Sequence, residues 1–138
     1  MRILALDMGE KNIGLAKSDE LGWTAQGAPN LVRKTKDKDI SAIANLAKEN
    51  SISEIIVGMP INLDGSLSKG TKKIADFIED LKKKVSCPVK CWDERLTSVQ
   101  AERVLLEADL SRKKRKKKID MLAAQLILQS YLDAKSGA

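Results

Sequence analysis

Arg2-Ile3-Leu4-Ala5-Leu6-Asp7-Met8-Gly9-Glu10-Lys11-Asn12-Ile13-Gly14 decides how the rest of the chain is read. A short apolar run closed by turn residues is a buried strand, and this one runs straight into Asp7. Packing does not select a carboxylate there, because an unpaired buried charge is costly. Gly9 lets the backbone turn sharply, through glycine's tolerance of positive φ. Glu10, Lys11 and Asn12 form a polar turn, and Ile13-Gly14-Leu15-Ala16 begins a second strand. The stretch is a hairpin with an acid at the carboxyl end of its first strand. Taken alone, Asp7 is as readily a turn cap as a functional group, and the remainder of the chain has to separate the two.

Outward from the hairpin, residues 13–18 complete strand two and residues 22–33 hold strand three, an edge strand because it contains Pro29. A helix starts at 37–39, with Ile40, Ile43, Ala44 and Ala47 on one face. Glu54-Ile55-Ile56-Val57-Gly58 is a buried strand, and the turn-rich loop 59–65 follows. Ser66 or Ser68 caps a helix whose face is Ile74, Phe77, Ile78 and Leu81. Residues 88–92 are strand five, running into Asp93-Glu94-Arg95. Thr97 and Gln100 have capping-box spacing, ahead of a helix with Ala101, Val104, Leu105 and Ala108 on one side. A last helix runs from Ile119 to about Ala134, apolar widely around its circumference. Strands four and five, each reached through a helix, join strand one in parallel. The fold class is α/β, a mixed five-stranded sheet with strands 1–3 antiparallel and helices on both faces.

The totals narrow the chemistry. A length of 138 residues corresponds to one domain, 1–138, and 43% apolar content is ordinary for a buried core. Aromatics are only 3%, which argues against stacked aromatic platforms for single strands. No apolar run spans a membrane and the amino end lacks a signal-peptide pattern, so the expected setting is soluble and cytoplasmic. Cys87 and Cys91 are read as reduced and partly buried. Histidine is absent, which removes Ser-His-Asp and Cys-His catalysis and imidazole metal sites. An enzyme with this composition works with carboxylates, lysine or a hard metal, magnesium or manganese. The net charge is +6, and Arg112-Lys113-Lys114-Arg115-Lys116-Lys117-Lys118 accounts for all of that excess. One concentrated basic segment on a near-neutral body suits a polyanion docking at one place.

Three acids converge in this topology. Asp7 ends strand one and Glu94 follows strand five, so both fall at the carboxyl edge of parallel strands, where open α/β sheets place their sites. Asp120 is expected in the first turn of the last helix, where the dipole favours an anion; the small Ala123 and Ala124 let that helix approach the sheet. Asp93 is a second candidate at this corner, but alternation turns it away from Glu94. Singly, each acid has an ordinary reading: a turn cap, a partner for Arg95, a helix-start charge. Together, like charges at one corner repel and call for a cation. Carboxylates that hold one or two divalent ions hydrolyse phosphodiesters without histidine. Lys11, just past Asp7, is placed to contact a phosphate. The basic segment, read as the connector before the Asp120 helix, guides a backbone toward the acids.

With these residues in view, the chain resembles the YqgF/RuvX family of bacterial RNase H-like nucleases. The marks are DMGEKNIGLA at 7–16, VGMPINLDGS at 57–66, DERLTSVQAE at 93–102 and KIDMLAAQLILQSYLD at 118–133. The resemblance covers nearly the whole chain. It implies an RNase H-like fold and a divalent-metal site, Mg²⁺ or Mn²⁺, whose acids match Asp7, Glu94 and Asp120. One departure is Asn12, where the family usually carries arginine. The resemblance also implies a role in maturing the 5′ end of 16S ribosomal RNA, with structured RNA, pre-rRNA or ribosomal precursor particles as partners. The competing expectations are a Holliday junction resolvase on branched DNA, working as a homodimer rather than a monomer, and a non-catalytic RNA- or ribosome-binding module.

Overall fold

The computed structural model describes residues 2–22, 24–59, 69–93 and 112–135; for 69, 93 and 112–122 it describes the backbone alone. The elements are β1 (Arg2–Met8), β2 (Asn12–Ser18), β3 (Ala25–Val32), α1 (Lys36–Glu49), β4 (Ile52–Met59), α2 (Lys69–Lys82), β5 (Val89–Asp93) and α3 (Arg112–Lys135). The five strands form one sheet in the order β3-β2-β1-β4-β5. The β1–β2 and β2–β3 pairs are antiparallel, and β4 and β5 run parallel to β1. This is the mixed sheet the element order predicts. Residues 60–65 of the expected loop, the alternative caps Ser66 and Ser68, Glu94 and the helix expected after Thr97 lie outside the described residues.

Strand alternation divides the core in two. Leu4 and Leu6, with Ile13, Leu15, Ile55 and Val57, face α1 and α2 through Ile40, Ile43, Ala47, Ile74, Phe77, Ile78 and Leu81. Ile3, Ala5, Ala16 and Ile56 face the other way, against Ala124, Ile127, Leu128, Tyr131 and Leu132 of α3. The helical faces expected around Ile43 and around Phe77 are thus both core, with Ala44 half-buried at the rim. At the start of α1 the Thr35 hydroxyl accepts the Lys38 N–H at 3.2 Å, satisfying one of the donors a helix end leaves open.

Two expectations change. Gly9 does not adopt a positive φ; among the described residues, those conformations belong to Gly22 and Ser51. What Gly9 provides is close approach: its N–H donates to the Asn12 carbonyl at 3.0 Å, and a Cβ there would stand 2.6 Å from that oxygen. The basic segment is not a connector either. Arg112–Lys118 forms the opening turns of α3, continuous with the rest of the helix. Lys and Arg are good helix formers, and the run contains no glycine or proline to stop the helix. Asp120 is therefore the ninth residue of α3 rather than a first-turn acid, and the dipole argument for it lapses. Of the cysteines, both free, Cys87 is half-buried and Cys91 exposed, so partial burial holds for one. Burial pushes the Cys87 thiol up, which keeps it protonated and unreactive.

The amino edge of the sheet is locked to the end of α3 by a buried carboxylate. Glu54, only 5% exposed, accepts the Tyr131 hydroxyl at 2.6 Å and pairs with Lys90 at 2.9 Å and Lys135 at 3.3 Å. Burial pushes its carboxyl up, but the hydrogen bonds from Lys90, Tyr131 and Lys135 outweigh burial and hold it below its ordinary value. Because the lysines are half-exposed, their share is screened. Glu54→Leu should cost about 2 kcal/mol, mainly through the Tyr131 hydroxyl losing its acceptor, and Glu54→Gln about half that. A lowered folded pKa gives stability that is complete above the unfolded value, about 4.3, and fades as pH falls through the folded one. Urea midpoints taken from pH 7 to pH 3 should fall more steeply for the wild type than for Glu54→Gln. Parallel curves would show that the carboxylate charge contributes nothing.

Candidate active site

Asp7 is the next-to-last residue of β1, paired with Gly14 of β2 before Met8 and Ile13 close the ladder. It sits one residue inside the strand end and is half-buried. Ile3 and Ala5 face α3, so alternation puts Asp7 on that same face. Its flanks are both glycines. Gly14 is its partner in β2, and one step beyond the Leu6–Val57 pair Gly58 stands beside it in β4. Neither neighbour brings a side chain to the sheet surface next to the carboxylate. Trp92 of β5 lies beyond Gly58, turned onto α3 with its indole N–H donating to the Ser130 hydroxyl at 3.2 Å and its ring 5.3 Å from that of Tyr131. The result is an acid flanked by a glycine on each neighbouring strand.

Helix α3 packs on this face of the sheet. Its carboxyl half lies over the amino edge of the sheet: Tyr131 reaches Glu54, the partner of Ile3, and Gln125 and Gln129 hold the carbonyl and N–H of Ala25 at 3.2 Å each. Asp7 stands at the carboxyl edge of β1, and Asp120 and Arg112–Lys118 precede the packed part of α3 in its sequence. β5 also ends at that edge, at Asp93, paired with Met59, and Glu94 is the next residue in the sequence.

Among the described residues no group of three His, Cys, Asp or Glu side chains is arranged to hold a metal ion. Asp7 is described with its side chain, Asp120 by its backbone, and Glu94 lies outside. The test of a metal site rests on the donor chemistry: the three acids offer oxygen ligands only, as a hard cation requires, and Asp7 is flanked by glycines on both neighbouring strands. In donor type these acids fit such an ion. Lys11 is exposed in the β1–β2 turn.

The turn has a support that sequence reading missed. Arg33, beyond the end of β3, donates Nη1–H to the Gly9 carbonyl at 2.9 Å and its backbone N–H to the Lys11 carbonyl at 2.9 Å. Arg33 and Gly9 are far apart in sequence, and no local pattern joins them. Around it, Met8, Arg33, Lys36, Lys73, Ile74, Asp76 and Phe77 line a cleft of about 260 Å³, and Lys36 pairs with Asp80 across α1 and α2.

The model of the RuvX family, described as "Holliday junction resolvase", matches residues 1–134. A protein of Halothermothrix orenii named "Putative pre-16S rRNA nuclease" is 55% identical over 133 residues, covering 96% of this chain and 95% of its own. One of Desulforamulus reducens with the same name is 51% identical over 134 residues, covering 97% and 98%. Among solved structures, T. thermophilus RuvC in complex with a Holliday junction substrate superposes with a TM-score of 0.59 at 15% identity, covering 99% of this chain and 96% of that one. The fowlpox virus Holliday junction resolvase gives 0.57 at 20% identity, covering 97% and 99%. These two likenesses concern the fold, which is RNase H-like. Among the described residues, no helix is long and apolar enough to cross a membrane.

Proposed function

The chain belongs to the RuvX family of nucleases, and from that premise we propose that it hydrolyses phosphodiester bonds in a divalent-metal-dependent reaction that matures the 5′ end of pre-16S ribosomal RNA. The observation that carries this reading is the Asp7 carboxylate, half-exposed at the carboxyl edge between Gly14 and Gly58, on the sheet face crossed by α3. Asp7, Glu94 and Asp120 would hold Mg²⁺ or Mn²⁺. The ion, when bound, supplies Lewis-acid charge at the phosphoryl group and lowers the pKa of a nearby water.

The chain's own residues do the rest. The β1–β2 ladder fixes Asp7, and Lys11 on the adjoining turn takes a phosphate flanking the reacting one. The basic opening turns of α3 draw the backbone of a polyanion across the acids. Phosphate contacts of this kind position a substrate without reading its sequence. Recognition by shape suits folded RNA better than single strands, given so few aromatic residues. The homologues' shared name supports pre-16S rRNA as the substrate. The family description supports a second reading, resolution of branched DNA, which needs two opposed sites and hence a symmetric dimer.

A side-by-side assay separates these readings. Pre-16S fragments and four-way DNA junctions are incubated with Mg²⁺ or Mn²⁺, with and without chelator. The expected result is metal-dependent cleavage of the RNA fragment, stopped by the chelator. Paired symmetric nicks in the junction by a dimer, with the RNA intact, would transfer the assignment to junction resolution. RNA binding that is unchanged in Asp7→Asn, without cleavage by either protein, would leave a binding module.

A further inference from the structure

The turn after Asp7 is gripped from α1 through one arginine. Asp39, in the first turn of α1, is 3% exposed. One of its oxygens accepts the Lys34 N–H at 2.9 Å, and the other pairs with Arg33 Nε at 3.5 Å. The guanidinium is also 5.9 Å from the centre of the Phe77 ring, a cation–π distance. Held in this way, it delivers Nη1–H to the Gly9 carbonyl, two residues past Asp7, while the Arg33 N–H takes the Lys11 carbonyl. Both ends of the Gly9–Lys11 turn are thereby tied to one residue. A solvated surface arginine has no need of a buried carboxylate, and Arg33 is only partly exposed. Two of its donors, Nε–H and one Nη1–H, are committed to an aspartate and a backbone carbonyl, which fixes the guanidinium relative to the turn.

We propose that Arg33, oriented by Asp39, is a positioning residue that sets the Asp7–Lys11 turn in the conformation the metal site uses. This rests on the metal-dependent reading above in naming the use, but not in naming the grip. Its action runs through the Gly9 carbonyl. Loss of the fork frees the turn and lets the Asp7 carboxylate wander. Lysine in its place keeps the charge but not the planar two-donor geometry.

The test uses the full chain with Arg33→Lys and, separately, Asp39→Asn, each followed by amide hydrogen exchange, Mn²⁺ binding by paramagnetic resonance and cleavage kinetics. Exchange of the Gly9 amide should quicken about tenfold in both variants, with Val57 in β4 and Leu81 in α2 unchanged. Mn²⁺ affinity should fall about tenfold, as for other residues that orient a metal ligand. kcat should fall with KM for the nucleic acid little altered. Unchanged Gly9 exchange would overturn the proposal, as would a raised KM with normal exchange, which would make Arg33 a substrate contact. Faster exchange spread evenly over β4 and α2 would assign Arg33 to general stability and overturn it too. If the wild type binds no Mn²⁺, the metal-dependent reading fails, whereas Gly9 exchange still decides whether Arg33 holds the turn.

Discussion

Asp7→Asn should lower phosphodiester cleavage by about 10³-fold or more, since losing a metal ligand removes several kcal/mol of transition-state stabilisation. Thermal unfolding should move little. Asparagine keeps the shape of the side chain, the site is half-exposed, and substitutions of that kind shift stability by about 0.5 kcal/mol, or roughly 2 °C. If Asp7 sits among like charges, removing one eases their repulsion, so the melting temperature should hold or rise. Glu94→Gln and Asp120→Asn should behave in the same way. Cleavage rates at saturating Mg²⁺, set beside calorimetric melting curves, measure both quantities. Full activity in any two of the three variants would overturn the assignment of the acids.

Exchanging Lys and Arg for Gln across residues 112–118 should change how binding responds to salt. If six of these side chains each neutralise a phosphate of a duplex, log K falls against log salt with a slope of about −5. Between about 50 and 200 mM salt that is roughly a 10³-fold loss of affinity, and the substituted chain should lose only a few-fold. Gln is nearly as good a helix former as Lys or Arg. Removing seven like charges from the positive end of α3 eases both neighbour repulsion and the clash with the helix dipole. The helix should therefore persist, as circular dichroism would show, and a lost slope would report lost contacts. The same slope in both proteins, on structured RNA as well as duplex DNA, would mean that the segment does not touch the backbone.

The alternation of Ile3-Leu4-Ala5-Leu6 was legible because a strand's faces repeat every two residues, and the helix faces around Ile43 and Phe77 because a helix repeats every 3.6. The parallel joining of β4 and β5 followed from the helices interposed in the sequence. The basic segment was misread for a related reason. A run of one charge carries no amphipathic period, so Arg112–Lys118 shows no helical face even though its residues favour helix and α3 carries straight through it. Gly9 was located correctly as the turn glycine, but its reason, contact with the Asn12 carbonyl rather than φ, depends on the closed hairpin.

By itself, the sequence determined the order of the described strands and helices, the two faces of the sheet, the absence of imidazole chemistry and the edge to which Asp7 belongs, since each follows from local period, composition or connectivity. Only the tertiary structure decided that Asp7 lies between two glycines, that Arg33 reaches back to Gly9, and that Glu54 bonds Tyr131. Such pairings depend on strand register and helix placement, which are settled when the whole core packs at once and not by any stretch of neighbouring residues.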